Sequence, residues 1–174
     1  MSAYVALLRA IGPATHGRMR PAALRDRAEA AGFGAPVNYL ATGNLIFTSR
    51  KGAARVRREL TALVAGFGLA GTEVFVLERA ELAALVAANP FADAARQRPE
   101  RLGACIFQAP LAWPAALLRP AGPERVAPVG RALLIDYGPG SAASSLRVEK
   151  LAGAPMTQRN WNTVLGVWAR LQAR

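Results

Sequence analysis

The spacing of apolar and polar residues in the first half of the chain switches between the two-residue period of strands and the helical period of about 3.6. The predicted elements are, in order, a strand (3–9), a helix (21–31), two strands (37–40 and 45–48), a helix (52–66) and a strand (72–77). Pro21 and Gly32 mark the two ends of the first helix, and Thr42-Gly43-Asn44 supplies a hairpin turn. This order predicts a ferredoxin-like α/β plait, in which two helices cover one face of an antiparallel sheet.

The second half of the chain repeats most of this order. Its predicted elements are a helix (79–88), a strand (102–108), a short helix (111–118), a weak strand (124–127), a strand (131–137), a helical segment (145–151) and a final helix from about 157 to the C-terminus. Residues 92–99 are predicted to form a polar connection, and no closing strand is apparent. We therefore predict an α+β protein of two ferredoxin-like units, residues 1–78 and residues 79–174, with antiparallel sheets and helices on one face.

The final helix carries an apolar stripe that predicts one buried face. Its members recur at spacings of three, four and seven: Trp161, Val164, Leu165, Trp168 and Leu171. The opposite face is predicted to hold Arg159, Thr163 and Arg170. Both tryptophans are accordingly expected to be core residues.

Arginine dominates the charge of the chain. The net charge is +11, from 22 basic and 11 acidic residues, and Lys51 and Lys150 are the only lysines. Such a surplus attracts phosphate-rich partners. The arginines are nevertheless scattered along the chain and interleaved with acids, unlike the single tract of a nucleic-acid-binding arm. The sequence leaves two explanations of the positive charge open, an arginine-rich composition and a real role in anion binding.

Three features of the sequence predict a cytoplasmic protein. No run of 18 apolar residues occurs without a charge, so we expect no membrane association. The opening run after Met1 predicts a strand and not a signal peptide. The single cysteine, Cys105, excludes internal disulfides.

Motifs for the common catalytic chemistries are incomplete. Glycines at P-loop spacing begin at Gly12, but Arg18 and Met19 stand where a P-loop has lysine and a hydroxyl residue. His16 and Cys105 are the only residues of their types, so no zinc site with several His or Cys ligands can form. No Gly-x-Ser-x-Gly segment presents a nucleophile. We therefore expect no cofactor and no metal, and the sequence favours a binding protein over an enzyme.

Three polar segments stand out as candidate binding sites. They are the long loop 10–20 after the first strand, the turn at Thr42-Gly43-Asn44, and the start of the final helix. Arginine forks match the geometry of carboxylates and phosphates. The predicted ligand-binding residues are Arg9, Arg18, Asn44, Arg159 and Asn160.

Four sequence segments resemble a known bacterial family, the domain of unknown function 1697. They are Tyr4-Val5-Ala6-Leu7-Leu8-Arg9, Thr42-Gly43-Asn44 followed by Phe47, Asn89-Pro90-Phe91, and Arg159-Asn160-Trp161-Asn162-Thr163. The resemblance spans essentially the whole chain and implies two ferredoxin-like units without an established activity. The family pattern has Arg-Gly-Ile-Asn-Val-Gly after the first strand, where this chain has Arg9-Ala10-Ile11-Gly12-Pro13-Ala14.

Three functional hypotheses follow from the sequence. The leading one is a non-catalytic binder of a small anionic ligand. The second is nucleic-acid binding, for which Tyr4 and Phe47 would offer stacking surfaces on the central strands. The third is an enzyme whose site forms between the two halves from distant segments.

Overall fold

Eight strands form two four-stranded antiparallel sheets in the computed structural model, which describes all 174 residues. The first sheet has the order β2-β3-β1-β4, from β1 (Ser2–Leu8), β2 (Gly34–Asn38), β3 (Asn44–Ser49) and β4 (Val74–Glu78). The second has the order β6-β7-β5-β8, from β5 (Leu102–Phe107), β6 (Arg125–Val129), β7 (Ala132–Asp136) and β8 (Met156–Asn160). The two orders are equivalent, which confirms the predicted pair of ferredoxin-like folds.

Seven helices accompany the strands. They are α1 (Pro21–Ala30), α2 (Ala53–Ala65), α3 (Arg79–Ala87), α4 (Ala92–Gln97), α5 (Ala115–Leu118), α6 (Val148–Ala152) and α7 (Trp161–Gln172). Short 3-10 turns occur at Pro13–Thr15, Pro99–Arg101 and Ser141–Ala143. The chain divides into two compact units, which we call the first unit (Met1–Leu82 with Gly166–Arg174) and the second unit (Ala83–Leu165).

The first unit packs α1 and α2 on one face of its sheet. Tyr4 and Phe47 lie in this core with Leu24 and Leu60, and the rings of Tyr4 and Phe47 stack at 5.8 Å. The Tyr4 hydroxyl donates to the backbone oxygen of Lys51 at 2.9 Å, so its polar end is satisfied. Both rings are buried and are therefore unable to stack on nucleic-acid bases, which corrects that part of the sequence interpretation.

The second unit has a core built around β5 and β7. Cys105, Phe107, Leu133 and Ile135 form one buried cluster with short flanking helices. Gly103 on β5 allows close packing, because a Cβ there would lie 2.9 Å from both Cε2 of Tyr137 and Nε2 of Gln158.

Two segments of the second half differ from the sequence prediction. Residues 156–160 form the closing strand β8, where we predicted the first turn of the final helix. Residues 92–97 form helix α4, where we predicted a polar connection.

The buried stripe of α7 is also rotated relative to the prediction. Thr163 is buried although it was assigned to the polar face, whereas Leu165 is exposed. The helix begins at Trp161 and not near residue 157, so Arg159 belongs to a strand.

Candidate functional site

Arg9 and Arg18 of the predicted set lie in the first unit and contact the protein itself. Arg9 follows β1, and its Nη1 forms an ion pair with Oε2 of Glu73 at 2.7 Å. The exposed Arg18 directs Nη1 toward the backbone oxygen of Gly68 at 3.5 Å. Arg9 is thus neutralised by an acid, whereas Arg18 is opposed only by a carbonyl dipole.

Asn44 has a clear structural role at the start of β3. Its side chain is 1% exposed, and Nδ2 donates to the backbone oxygen of Tyr39 at 2.8 Å and to Oγ1 of Thr42 at 3.2 Å. These bonds hold the hairpin turn together, as buried amide groups commonly do.

The hairpin turn also meets the loop that follows β1. The amide of Leu8 donates to the oxygen of Gly43 at 2.7 Å, and Nε2 of His16 lies 2.8 Å from the oxygen of Ala41. Gly43 has a φ of +77°, and a Cβ there would lie 2.9 Å from that of Leu8. The structure therefore brings the loop 10–20 close to the turn, through the side chain of His16 and the backbone oxygen of Ala41.

The other two predicted residues, Arg159 and Asn160, lie at the end of β8 in the second unit. Nη1 of Arg159 donates to Oγ1 of Thr157 and to the backbone oxygen of Gln158, both at 2.9 Å. Burial lowers the pKa of Arg159 to about 10. Oδ1 of Asn160 accepts from the amide of Thr163 at 3.0 Å and from its hydroxyl at 2.9 Å, which makes Asn160 the N-cap of α7.

A network of charges that the sequence did not reveal centres on Asp136, at the end of β7. The residue is 2% exposed, and both Arg98 and Arg125 place Nη2 at 2.7 Å from its Oδ2. Arg125 also binds Asp93 at 2.6 Å and lies over the ring of Phe91. The pKa of Asp136 lies well below its usual range, mainly because Arg98 donates hydrogen bonds to the carboxylate. Every charge in this network has a partner, which indicates a structural role.

A cleft of about 390 Å³ opens in the second unit, among residues of α5, α6 and the segments that adjoin them. Arg119, Arg147 and Lys150 line it and all three are exposed. None of their charged side-chain groups has a hydrogen-bond or ion-pair partner in the protein. Apolar parts of the wall come from Ala116 and Leu146.

The cleft also has one acidic residue in its wall. Glu124 is 7% exposed, and its Oε1 accepts a short hydrogen bond from the hydroxyl of Ser144. The cleft therefore offers three cationic donors and one carboxylate on a partly apolar surface.

Sequence reasoning missed the residues of this cleft. Arg119, Arg147 and Lys150 are separated by up to 31 positions and share no motif. The available signal was the Gly- and Ser-rich segment 138–145, which leads directly into Leu146 and Arg147.

No group of three His, Cys, Asp or Glu side chains in the chain could hold a metal ion. No helix has the length and apolar character needed to cross a membrane.

Comparison with known proteins places the chain among proteins of unknown function. The family model described as "Protein of unknown function (DUF1697)" matches residues 1–133. No curated protein matches the chain. A solved structure, the conserved bacterial protein SP0830 from Streptococcus pneumoniae, is similar with a TM-score of 0.76 and 16% sequence identity, over 98% of each chain. At this identity the likeness concerns the fold alone. With its family model matched over residues 1–133 of 174, the chain belongs to the DUF1697 family.

Proposed function

We propose that this protein is a non-catalytic binder of a small anionic ligand, which it holds in the cleft of the second unit. The observation that supports this is the group of three cations without protein partners around one opening: Arg119, Arg147 and Lys150. Arginines elsewhere in the chain, such as Arg55 and Arg125, contact carboxylates. Cations that share a cleft repel one another, and an anion bound among them relieves that repulsion.

The size of the cleft suits a small molecule. Its volume of about 390 Å³ falls within the range of about 300–1,000 Å³ that is typical of ligand pockets. A second cavity, in the first unit, has about 200 Å³, which is below that range.

The side chains of the cleft favour binding over catalysis. Ser145 is the only hydroxyl residue that lines the cleft, and the only histidine, His16, belongs to the first unit, so no histidine of the second unit could activate it. Cys105 is fully buried, and burial raises its pKa to about 12, so it is not a nucleophile at neutral pH. The cleft thus holds donors for an anion without an activated nucleophile.

Titration with inorganic phosphate at constant ionic strength tests the proposal. We expect a saturable rise in melting temperature, since a ligand that binds only the folded state stabilises it by RT ln(1 + [L]/Kd). Arg147→Ala should abolish the rise, whereas Arg58→Ala should retain it. The control removes the same charge from an exposed position on α2. A melting temperature that does not respond to phosphate, or responds equally in both variants, would contradict the proposal.

The residues proposed from the sequence stay a second, separate prediction. Arg9, Arg18, Asn44, Arg159 and Asn160 would supply contacts to the same class of ligand. Arg159→Ala in the phosphate titration tests this set. Loss of the phosphate response in a folded Arg159→Ala protein would support it, and an unchanged response would count against it.

Nucleic-acid binding is a second candidate function, favoured by the solvent-facing side of α2. Arg55, Arg57 and Arg58 are all exposed there. Because Tyr4 and Phe47 are buried, phosphate contacts and not base stacking would supply the affinity. A gel-shift series with single-stranded RNA at increasing salt tests this candidate, and the absence of binding at low salt would exclude it.

We also propose that the protein works in the cytoplasm. Its only cysteine is a free, buried thiol, which suits a reducing compartment. Fractionation of the cells that produce it tests this assignment.

A further inference from the structure

Glu124 is the residue of the cleft that a simple anion site does not explain. Its side chain is almost completely buried, and it lines the same cleft as three cations. An acid in the wall lowers the attraction of the cleft for an anion. Its place there suggests that the carboxylate has a ligand contact of its own.

The carboxylate of Glu124 is held in a fixed position. Oε1 accepts from the hydroxyl of Ser144, and that same hydroxyl oxygen accepts from the amide of Leu146 at 3.1 Å. Oε2 lies against Gly122, where a Cβ would collide with it. Glycine at position 122 therefore makes room for the carboxylate at the edge of the cleft.

The second oxygen, Oε2, accepts no hydrogen bond from the protein. Since no fully buried side-chain oxygen of the chain lacks a partner, Oε2 must be reached by solvent at the cleft. An ionised carboxylate oxygen is an acceptor only, and it binds most strongly to a charged donor.

We propose that the ligand of the cleft is zwitterionic, with a phosphate or carboxylate bound by Arg119, Arg147 and Lys150 and an ammonium group bound by Oε2 of Glu124. The ligand class is a small amine that carries an anionic group, such as a phosphorylated amino alcohol or an amino acid. Ala116 and Leu146 supply an apolar wall for the short carbon chain that joins the two charges. This inference rests on the proposed function of the cleft.

A pair of matched probes separates the two proposals. O-Phosphoethanolamine and ethyl phosphate share the phosphate and the two-carbon chain, and they differ in the ammonium group. In isothermal titration calorimetry we expect the protein to bind O-phosphoethanolamine at least about 10-fold more tightly, as is usual for one charge-assisted hydrogen bond. Glu124→Gln should remove this preference, and ethyl phosphate should still bind, at least as tightly as before, because an acid has been removed from the wall. Glu100→Gln, at an exposed acid of the second unit, should preserve the preference.

Each outcome decides between the proposals. If neither probe binds, the proposed function of the cleft is wrong. If both probes bind equally to the unaltered protein, or if Glu124→Gln keeps the preference, the cleft binds anions but the zwitterion inference is wrong. The N-acetylated form of O-phosphoethanolamine lacks the ammonium and requires no variant. It should bind like ethyl phosphate even if Glu124→Gln fails to fold, and binding as tight as the parent amine would overturn the inference.

Discussion

Replacement of Asp136 by asparagine should destabilise the protein more than any other conservative change of an acid in the chain. The carboxylate accepts two hydrogen bonds from Arg98, two from Arg125 and one from the amide of Gly138. Asparagine has nearly the same shape but lacks the charge, and it keeps one acceptor oxygen in place of two. Breaking a buried ion pair costs about 3–5 kcal/mol. Because Arg98 and Arg125 are partly exposed and can rebind water, we expect Asp136→Asn to cost about 2–3 kcal/mol.

The pH dependence of stability provides a second measure of the same interaction. The pKa of Asp136 in the folded protein is lower than in the unfolded chain, where it is about 3.9. Its contribution to stability is therefore fully present above about pH 4 to 5, and it is lost as the pH falls through the folded pKa. The difference between the original protein and Asp136→Asn should be constant near neutral pH and should shrink in acid.

Urea denaturation from pH 7 down to pH 3 measures both effects as free energies of unfolding. Asp26→Asn is the control, because Asp26 is exposed on α1 and pairs only with the neighbouring Arg25. The control should change the free energy by less than about 0.5 kcal/mol. A loss for Asp136→Asn no larger than that of the control, or a difference that persists unchanged in acid, would refute the reasoning.

Three further predictions concern single positions. Leu40 is 52% exposed and has a φ of +59°, in the left-handed region that favours glycine. Leu40→Gly should therefore raise the free energy of unfolding, measured by urea denaturation, by about 0.5–1 kcal/mol. Ala10→Gly, at a φ of +56°, should also raise the free energy of unfolding. Asn160→Ala removes the cap on the amide of Thr163 and should cost about 1 kcal/mol in the same assay. Cys105 is fully buried, which keeps reagents away from its thiol and raises its pKa to about 12. The thiol should therefore react with a disulfide reagent no faster than the protein unfolds, and rapid labelling in the native state would contradict this.

The central strands were predictable because buried strands consist of continuous runs of apolar residues. In β7, Leu133, Leu134 and Ile135 are all buried, and a continuous apolar run of that length indicates a covered strand. In β8 the same reasoning failed, since Gln158 and Arg159 interrupt any apolar pattern. Gln158 nevertheless pairs with Cys105 across the sheet, and its Oε1 accepts from the hydroxyl of Tyr137 at 2.8 Å. A polar residue satisfied by a distant partner gives no signal in the local sequence.

The Asp136 network and the candidate site were harder to predict because each is assembled from residues that are far apart in the chain. Arg98 and Asp136 are 38 positions apart, and the sequence around each residue does not indicate that the two form an ion pair. The same holds for Arg119, Arg147 and Lys150, which share one cleft although they lie up to 31 positions apart in the chain. Asn44 shows the converse. Its position in a turn made it a predicted ligand-binding residue, and its side chain forms hydrogen bonds within that same hairpin.

The two units have the same strand order, but they differ in how their helices cover the sheet. In the first unit the two crossover connections contain α1 and α2, which have 10 and 13 residues and form a closed core with the strands. In the corresponding connections of the second unit the α-helices, α5 and α6, have only 4 and 5 residues, and the 3-10 turn at Ser141–Ala143 precedes α6. Helices of about one turn cover less of a four-stranded sheet than longer helices do, because each residue adds only about 1.5 Å of length. The cleft with its cations opens between these short helices, beside the core that the second unit builds around β5 and β7.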